Sequence, residues 1–132
     1  MELQVGVKII LRNKEGKYLL MLRSADKYPD AGAKWEIAGG RINPGTLLIE
    51  NLKREVKEET GLEVQDELKF LAAQDIIRSH KHIVRLTYSG FADGEVKLSD
   101  EHTEYRWLSR EELMKIEPID PILKEVFIKG DF

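Results

Sequence analysis

Alternation of apolar and polar residues dominates the first part of the chain. Val5, Val7, Ile9 and Leu11 occur at every second position, which is typical of a strand with one buried face. After a polar turn at residues 13–17, the apolar run from Tyr18 to Leu22 is short enough for a central strand. We expect these two strands to form a hairpin.

Further apolar runs predict more strands. They cover residues 35–37, leading into a turn at Gly39 and Gly40, and residues 68–77, 83–89 and 95–98. Asp93-Gly94 is a strong turn pair before the last run. His80-Lys81-His82 is interpreted as a polar turn and not as a metal site, since no third ligand stands at suitable spacing.

A helix is predicted to begin near Thr46, which can cap it, and to end at Gly61, a residue that tolerates the left-handed conformation. Its apolar residues recur at helical spacing: Leu48, Ile49, Leu52 and Val56. Two short helices follow. One opens with a capping box at Ser109–Glu112, and the other has Pro121 in its first turn. These elements predict an α+β fold in one domain, residues 1–132, with a mixed sheet between helices.

Three acidic side chains border the apolar face of the middle helix. Glu55, Glu58 and Glu59 are three and four positions apart, so they project within one arc. Like charges at this spacing cost roughly 0.2–0.5 kcal/mol per pair on an exposed helix. A hard divalent cation such as Mg²⁺ removes that conflict. The alternative is a solvated acidic face without a ligand.

The order of residues around these acids resembles the Nudix box, G-x5-E-x7-R-E-U-x-E-E-x-G-U, where U is aliphatic. The matching positions are Gly40, Arg54, Glu55, Val56, Glu58, Glu59, Gly61 and Leu62. Thr46 stands where the box has its first Glu, and Ala38 stands where relatives often have Pro. The resemblance implies the αβα sandwich of the Nudix fold.

The resemblance also implies roles for the box residues. Glu58 and Glu59 would bind Mg²⁺, or Mn²⁺ in its place, and Glu55 would be a ligand or a base that orients water. The carbonyl of Gly39 would join the metal ligands. Arg54 is expected to be one of the catalytic residues. Glu50, four residues before it, is expected to form the ion pair with Arg54 that the missing Glu would otherwise make.

Residues outside the box complete the predicted site. Relatives commonly carry one more acid before a Trp-bearing strand; Glu101 and Glu104 are the candidates, and spacing from Trp107 favours Glu104. Arg23 and Tyr28 are proposed to contact substrate, with a solvated linker as the alternative. Trp35 is proposed to line the substrate pocket, with a purely structural core role as the alternative. Arg78 and Arg85 could bind phosphate, but surface roles are favoured for both.

The implied activity is hydrolysis of a nucleoside diphosphate linked to a further group. The first hypothesis is a MutT-like nucleoside triphosphate pyrophosphohydrolase that releases nucleoside monophosphate and pyrophosphate. One alternative is a pyrophosphatase of the same family acting on ADP-ribose, other nucleotide sugars or dinucleotides. Another is a noncatalytic nucleotide-binding module that keeps the fold.

The composition of the chain limits which binding partners are expected. The 132 residues include 42% hydrophobic residues, enough for one core, and no cysteine. The net charge of −3 argues against a stable nucleic-acid partner. There is no basic leader with a long apolar run and no stretch of membrane-spanning length, so we expect a cytoplasmic protein without a membrane partner. A small-molecule nucleotide is the expected substrate, and the resemblance leaves a homodimer open.

Overall fold

A computed structural model describes residues 1–30 and 32–132. Within these ranges the chain forms seven strands and three helices. In chain order they are β1 (Glu2–Arg12), β2 (Tyr18–Arg23), β3 (Trp35–Glu36), β4 (Ala38–Arg41), α1 (Leu48–Thr60), β5 (Lys69–Ile77), β6 (Lys81–Phe91), β7 (His102–Leu108), α2 (Arg110–Lys115) and α3 (Pro121–Lys129).

The sheet is mixed and branches at its first two strands. Its main order is β3-β2-β1-β6-β5, while β4 pairs with β1 and β7 pairs with β2. β1 and β6 run parallel along their whole length, and the remaining pairs are antiparallel. The predicted β1–β2 hairpin is confirmed, although its pairing is confined to Arg12 and Tyr18. Beyond that pair, β1 pairs with β4 and β2 pairs with β7. The two strands therefore separate and leave room for a cleft.

Hydrophobic clusters cover both faces of the sheet. Val7 and Ile9 of β1 pack with Leu52 and Val56 of α1 on one face. Ile10 of β1 packs on the other face, against a second cluster. That second cluster includes Leu113 of α2 and Leu123, Val126 and Phe127 of α3. The predicted α+β fold, with a mixed sheet between helices, is therefore confirmed.

The C-terminal end of α1 agrees with the sequence prediction, whereas its N-terminal cap does not. Gly61 ends the helix in the left-handed conformation, with φ 75°. The helix begins at Leu48, two residues after Thr46, and the predicted cap is wrong: Leu47 is the N-cap residue and no side chain caps the helix. The Thr46 N–H instead donates to the carbonyl of Asn43, which makes Thr46 part of the preceding turn.

Three local predictions need correction. Gly39 and Gly40 do not form a turn but lie in β4, paired with Lys8 and Val7 of β1. Residues 95–98 form no strand, because the N–H of Lys97 donates to the carbonyl of Thr60 and the segment runs beside the end of α1. The predicted polar turn at residues 80–82 is shorter, since β6 already begins at Lys81. None of the helices in the described ranges is long and apolar enough to cross a membrane.

Candidate active site

A cleft of about 460 Å³ opens where β1 and β2 separate. Its floor includes Gly6 and Lys8 of β1 and Ile83 and Arg85 of β6, which share one face of the parallel pair. The rest of its lining is contributed by Arg23, Tyr28, Glu36, Gly39, Gly40, Arg41, Glu55, Glu59 and Glu101. The cleft therefore collects acidic and basic side chains in one small volume.

Gly39 ties β4 to α1. Its N–H donates to Oε2 of Glu59 at 3.0 Å. Its φ is +127°, and a Cβ at this position would lie 2.1 Å from the carbonyl oxygen of Val7. A side chain is thus excluded both by backbone conformation and by space. The missing side chain is what lets β4 lie this close to the backbone of β1.

Two acids of α1 face the cleft. Glu59 is buried, and burial raises its pKa to about 7 against the opposing effects of the Lys8 charge and the Gly39 N–H. Burial also raises the pKa of Glu55, the charges of Glu58 and Glu101 raise it further, and Arg54 opposes them. A Cβ on Gly40 would lie 3.2 Å from the Glu55 carboxylate, so this glycine leaves space for that side chain.

Glu58 lies outside the wall of the cleft. Both of its carboxylate oxygens accept hydrogen bonds from Nη1 of Arg54, at 2.9 and 3.0 Å, and 57% of its side chain is exposed. Nη2 of Arg54 donates to Glu55 and to Asn51. Glu50 is not among the hydrogen-bond or ion-pair partners of Arg54 in the described ranges, so the expectation that it replaces the missing box acid is wrong.

The extra acid that the structure brings to the cleft is Glu101. Glu104 is exposed, and its carboxylate pairs with Arg106 on the same strand. The cause is strand geometry: Glu104 shares a face with Arg106, whose guanidinium lies 4.7 Å from the centre of the Trp35 ring, and neither Glu104 nor Arg106 lines the cleft. We therefore replace Glu104 by Glu101 in the candidate site.

An irregularity in β7 explains why spacing misplaced this acid. Leu22 pairs with Glu104, but Arg23 pairs with His102, so Thr103 is an additional residue. Such a bulge reverses the alternation of side chains beyond it. His102 thereby faces Glu36, with which its Nε2 pairs, and the preceding backbone is held by a hydrogen bond from the N–H of Ser24 to the carbonyl of Glu101.

The proposed substrate residues divide between two cavities. Arg23 and Tyr28 line the cleft, and the Arg23 guanidinium lies 5.1 Å from the centre of the Tyr28 ring. Trp35 is only 4% exposed and belongs to the second core cluster. It borders an adjacent cavity of about 650 Å³ that shares Arg23 and Arg85 with the cleft.

Sequence reasoning missed a network behind Arg23. Glu36 accepts from Nη2 of Arg23 at 2.7 Å and pairs with Nε2 of His102 at 2.7 Å. Burial acts to raise the pKa of Glu36, but the His102 hydrogen bond and the charges of Lys8 and Arg23 outweigh it and lower the pKa to about 2. A charged residue inside the apolar run at residues 35–37 was the one available signal.

The donor chemistry of the cleft suits a hard divalent cation. Glu55, Glu59 and Glu101 are carboxylates close enough to influence one another, and the Gly39 carbonyl adds a neutral oxygen. Across residues 1–30 and 32–132, no group of three acidic, His or Cys side chains is arranged as a ready ligand set. The residues thus fit the ion by type and crowding, and their roles as ligands remain predictions.

Comparison with known proteins places this geometry in a family. The NUDIX domain model matches residues 2–129. A nucleoside triphosphatase, NudI, of Escherichia coli strain UMN026 is 27% identical over 131 residues, covering 91% of this chain and 92% of that protein.

Solved structures agree with this match. The MutT protein of Methanosarcina mazei superposes with a TM-score of 0.83 at 29% identity, covering 96% of this chain and 91% of the other. The E. coli ORF135 protein superposes with a TM-score of 0.81 at 26% identity, covering 98% and 89%. With the box on α1, the branched mixed sheet and a match over nearly the whole chain, the protein belongs to the Nudix hydrolase family and is MutT-like.

Proposed function

We propose that the protein hydrolyses nucleoside triphosphates to nucleoside monophosphate and pyrophosphate with the help of Mg²⁺, or of Mn²⁺. The observation that carries the proposal is the composition of the cleft, in which Glu55, Glu59 and Glu101 lie together with Arg23 and Arg85. Carboxylates alone would repel a polyphosphate, whereas carboxylates bridged by a divalent ion and flanked by arginines would bind it.

The candidate ligands are the box acids and one backbone oxygen. Glu55, Glu58, Glu59 and the Gly39 carbonyl would hold the ion; Glu58 would first have to leave Arg54. When bound, the ion lowers the pKa of a coordinated water and neutralises charge that develops on phosphate oxygens. The hydrogen bond from Gly39 N–H fixes one oxygen of Glu59 and leaves its other oxygen for a ligand.

The remaining residues have separate tasks. Glu101 is the candidate proton acceptor, because it lines the cleft from a loop outside α1. Water attacks a phosphorus atom, the bond from that atom to the pyrophosphate oxygen breaks, and the water proton passes to the carboxylate. Arg23 and Arg85 compensate the charge of the phosphate chain, and their pairing with Glu36 and Asp120 keeps both guanidinium groups oriented.

Support for a triphosphate comes from the relatives. The E. coli relative is named a nucleoside triphosphatase, and the archaeal structure is a MutT protein.

The test is a panel of nucleoside triphosphates, ADP-ribose and dinucleoside polyphosphates with Mg²⁺, followed by identification of the products. Glu101→Gln removes the proton acceptor, and general-base catalysis is typically worth about 10²–10⁴ in rate. We expect turnover to fall by roughly that factor with little change in nucleotide affinity. Glu104→Gln is the matched control, because Glu104 is exposed and outside the cleft.

Two results would contradict the proposal. Release of monophosphate from ADP-ribose or dinucleotides alone would assign the protein to another Nudix substrate class. Absence of product from every nucleotide, with binding equal in the wild type and in Glu101→Gln, would indicate the noncatalytic module.

A further inference from the structure

Lys8 is a cation in the floor of the cleft that the box does not include. It lies in the middle of β1, opposite Gly39 of β4. Its Nζ donates to the carbonyl of Gly39 at 3.2 Å and to that of Ile37 at 3.5 Å. The Gly39 carbonyl is the same oxygen that the family resemblance assigns to the metal ion.

The charge of Lys8 also acts on the acids around it. It favours the ionised form of Glu59 and of Glu36, in both cases against the effect of burial. Glu36 has Arg23 and His102 as direct partners. For Glu59 the direct donor in the described ranges is the Gly39 N–H, and Lys8 contributes the largest opposing charge. Geometry links the two side chains: both line the cleft, and Gly39 accepts from Lys8 through its carbonyl while it donates to Glu59 through its N–H.

We propose that Lys8 is the internal counter-cation of the metal site, holding the Gly39 carbonyl and balancing Glu59 until a divalent ion takes over both tasks. The inference rests on the proposed function, since it takes Gly39 and Glu59 as ligands of that ion. It assigns Lys8 a positioning role: the residue acts through Gly39 and Glu59 and not on the substrate.

Two consequences follow from charge alone. Without metal, Lys8 stabilises the folded cleft by reducing repulsion among its acids. With metal, the same positive charge repels the ion and must release the Gly39 oxygen, so Lys8 weakens ion binding. A merely structural lysine would show the first effect without the second.

The experiment measures Mn²⁺ binding to the full chain by calorimetry, in the absence of nucleotide. Lys8→Met removes the charge, Lys8→Arg keeps it, and Lys14→Met makes the same change of net charge at an exposed position outside the cleft. We expect the Mn²⁺ dissociation constant to fall about tenfold or more in Lys8→Met, since a unit charge a few ångströms from a divalent ion repels it strongly. It should change less than about twofold in Lys8→Arg and in Lys14→Met, because both leave the charge at position 8 in place.

Thermal unfolding in EDTA gives the second readout. Without metal, the melting temperature of Lys8→Met should lie below that of the wild type. Added Mn²⁺ should raise the melting temperature of Lys8→Met by more than it raises that of the wild type. If Lys8→Met does not fold without metal, Lys8→Gln, which keeps a hydrogen-bond donor without the charge, replaces it in both measurements.

The outcomes separate the two proposals. Wild-type binding with an equal or higher dissociation constant in Lys8→Met or Lys8→Gln would overturn the role of Lys8 and leave the proposed function intact. Failure of all these proteins to bind Mn²⁺ would overturn both.

Discussion

Glu36 offers a quantitative test of the network that positions Arg23. Its side chain is only 17% exposed and accepts hydrogen bonds from β2 and β7 through Arg23 and His102, while Lys8 of β1 adds a further positive charge. Replacing it by Gln keeps the size of the side chain and removes its charge. The arginine, the imidazole and the lysine then lose their shared anion.

The magnitude follows from the lowered pKa. A fall from 4.5 to about 2 in the folded protein corresponds to about 3 kcal/mol of folding free energy at neutral pH, at roughly 1.4 kcal/mol for each tenfold change in proton affinity. Because the pKa is lowered on folding, this contribution is complete above pH 4.5 and is lost as the pH falls toward 2. Glu36→Gln should therefore cost about 3 kcal/mol at pH 7 and progressively less below pH 4.5.

Urea unfolding at a series of pH values measures this difference. Glu104→Gln is the control, since its exposed pair with Arg106 is worth between about 0 and 1 kcal/mol. A loss below about 1 kcal/mol for Glu36→Gln at pH 7, or a loss that stays constant down to pH 3, would contradict the role assigned to the Glu36 carboxylate.

Two further predictions concern the backbone of β4 and the core under α1. In urea unfolding, Gly39→Ala should lower the free energy of unfolding by more than about 3 kcal/mol, because its Cβ would meet the Val7 carbonyl. Gly45→Ala is the control: its φ is also positive, at +87°, but no atom lies within 4 Å of a Cβ there, so it should cost only about 1–2 kcal/mol. Leu52→Ala should lower the free energy of unfolding by about 2–5 kcal/mol, since Leu52 is fully buried. Leu47→Ala, at a position that is 67% exposed, should change it by less than about 0.5 kcal/mol. Equal losses in the two variants would contradict the placement of Leu52 in the core.

Regular spacing made much of α1 predictable. A repeat near 3.6 residues places Leu52 and Val56 in the core and brings Glu55 and Glu59 to its border without any knowledge of the rest of the chain. The end at Gly61 was equally accessible, because few other residues adopt its backbone conformation readily. The start was not, since Thr46 makes its hydrogen bond within the preceding turn.

Features set by long-range pairing were not predictable from local pattern. Whether Glu101 or Glu104 reaches the cleft depends on the additional residue in β7, and counting back from Trp107 cannot reveal a bulge. Lys8 stands at an ordinary polar position of an alternating strand. Its role depends on β4 occupying the edge that β2 leaves, which brings the Gly39 carbonyl to its ammonium group.

Anomalous diffraction from crystals soaked in Mn²⁺ tests the metal site most directly. We expect an anomalous peak in the cleft, with Glu59, Glu55 and the Gly39 carbonyl as its nearest protein groups. A cleft without such a peak at saturating Mn²⁺, with the Glu55 carboxylate turned to solvent, would contradict the central claim that these acids are crowded together to hold a divalent ion.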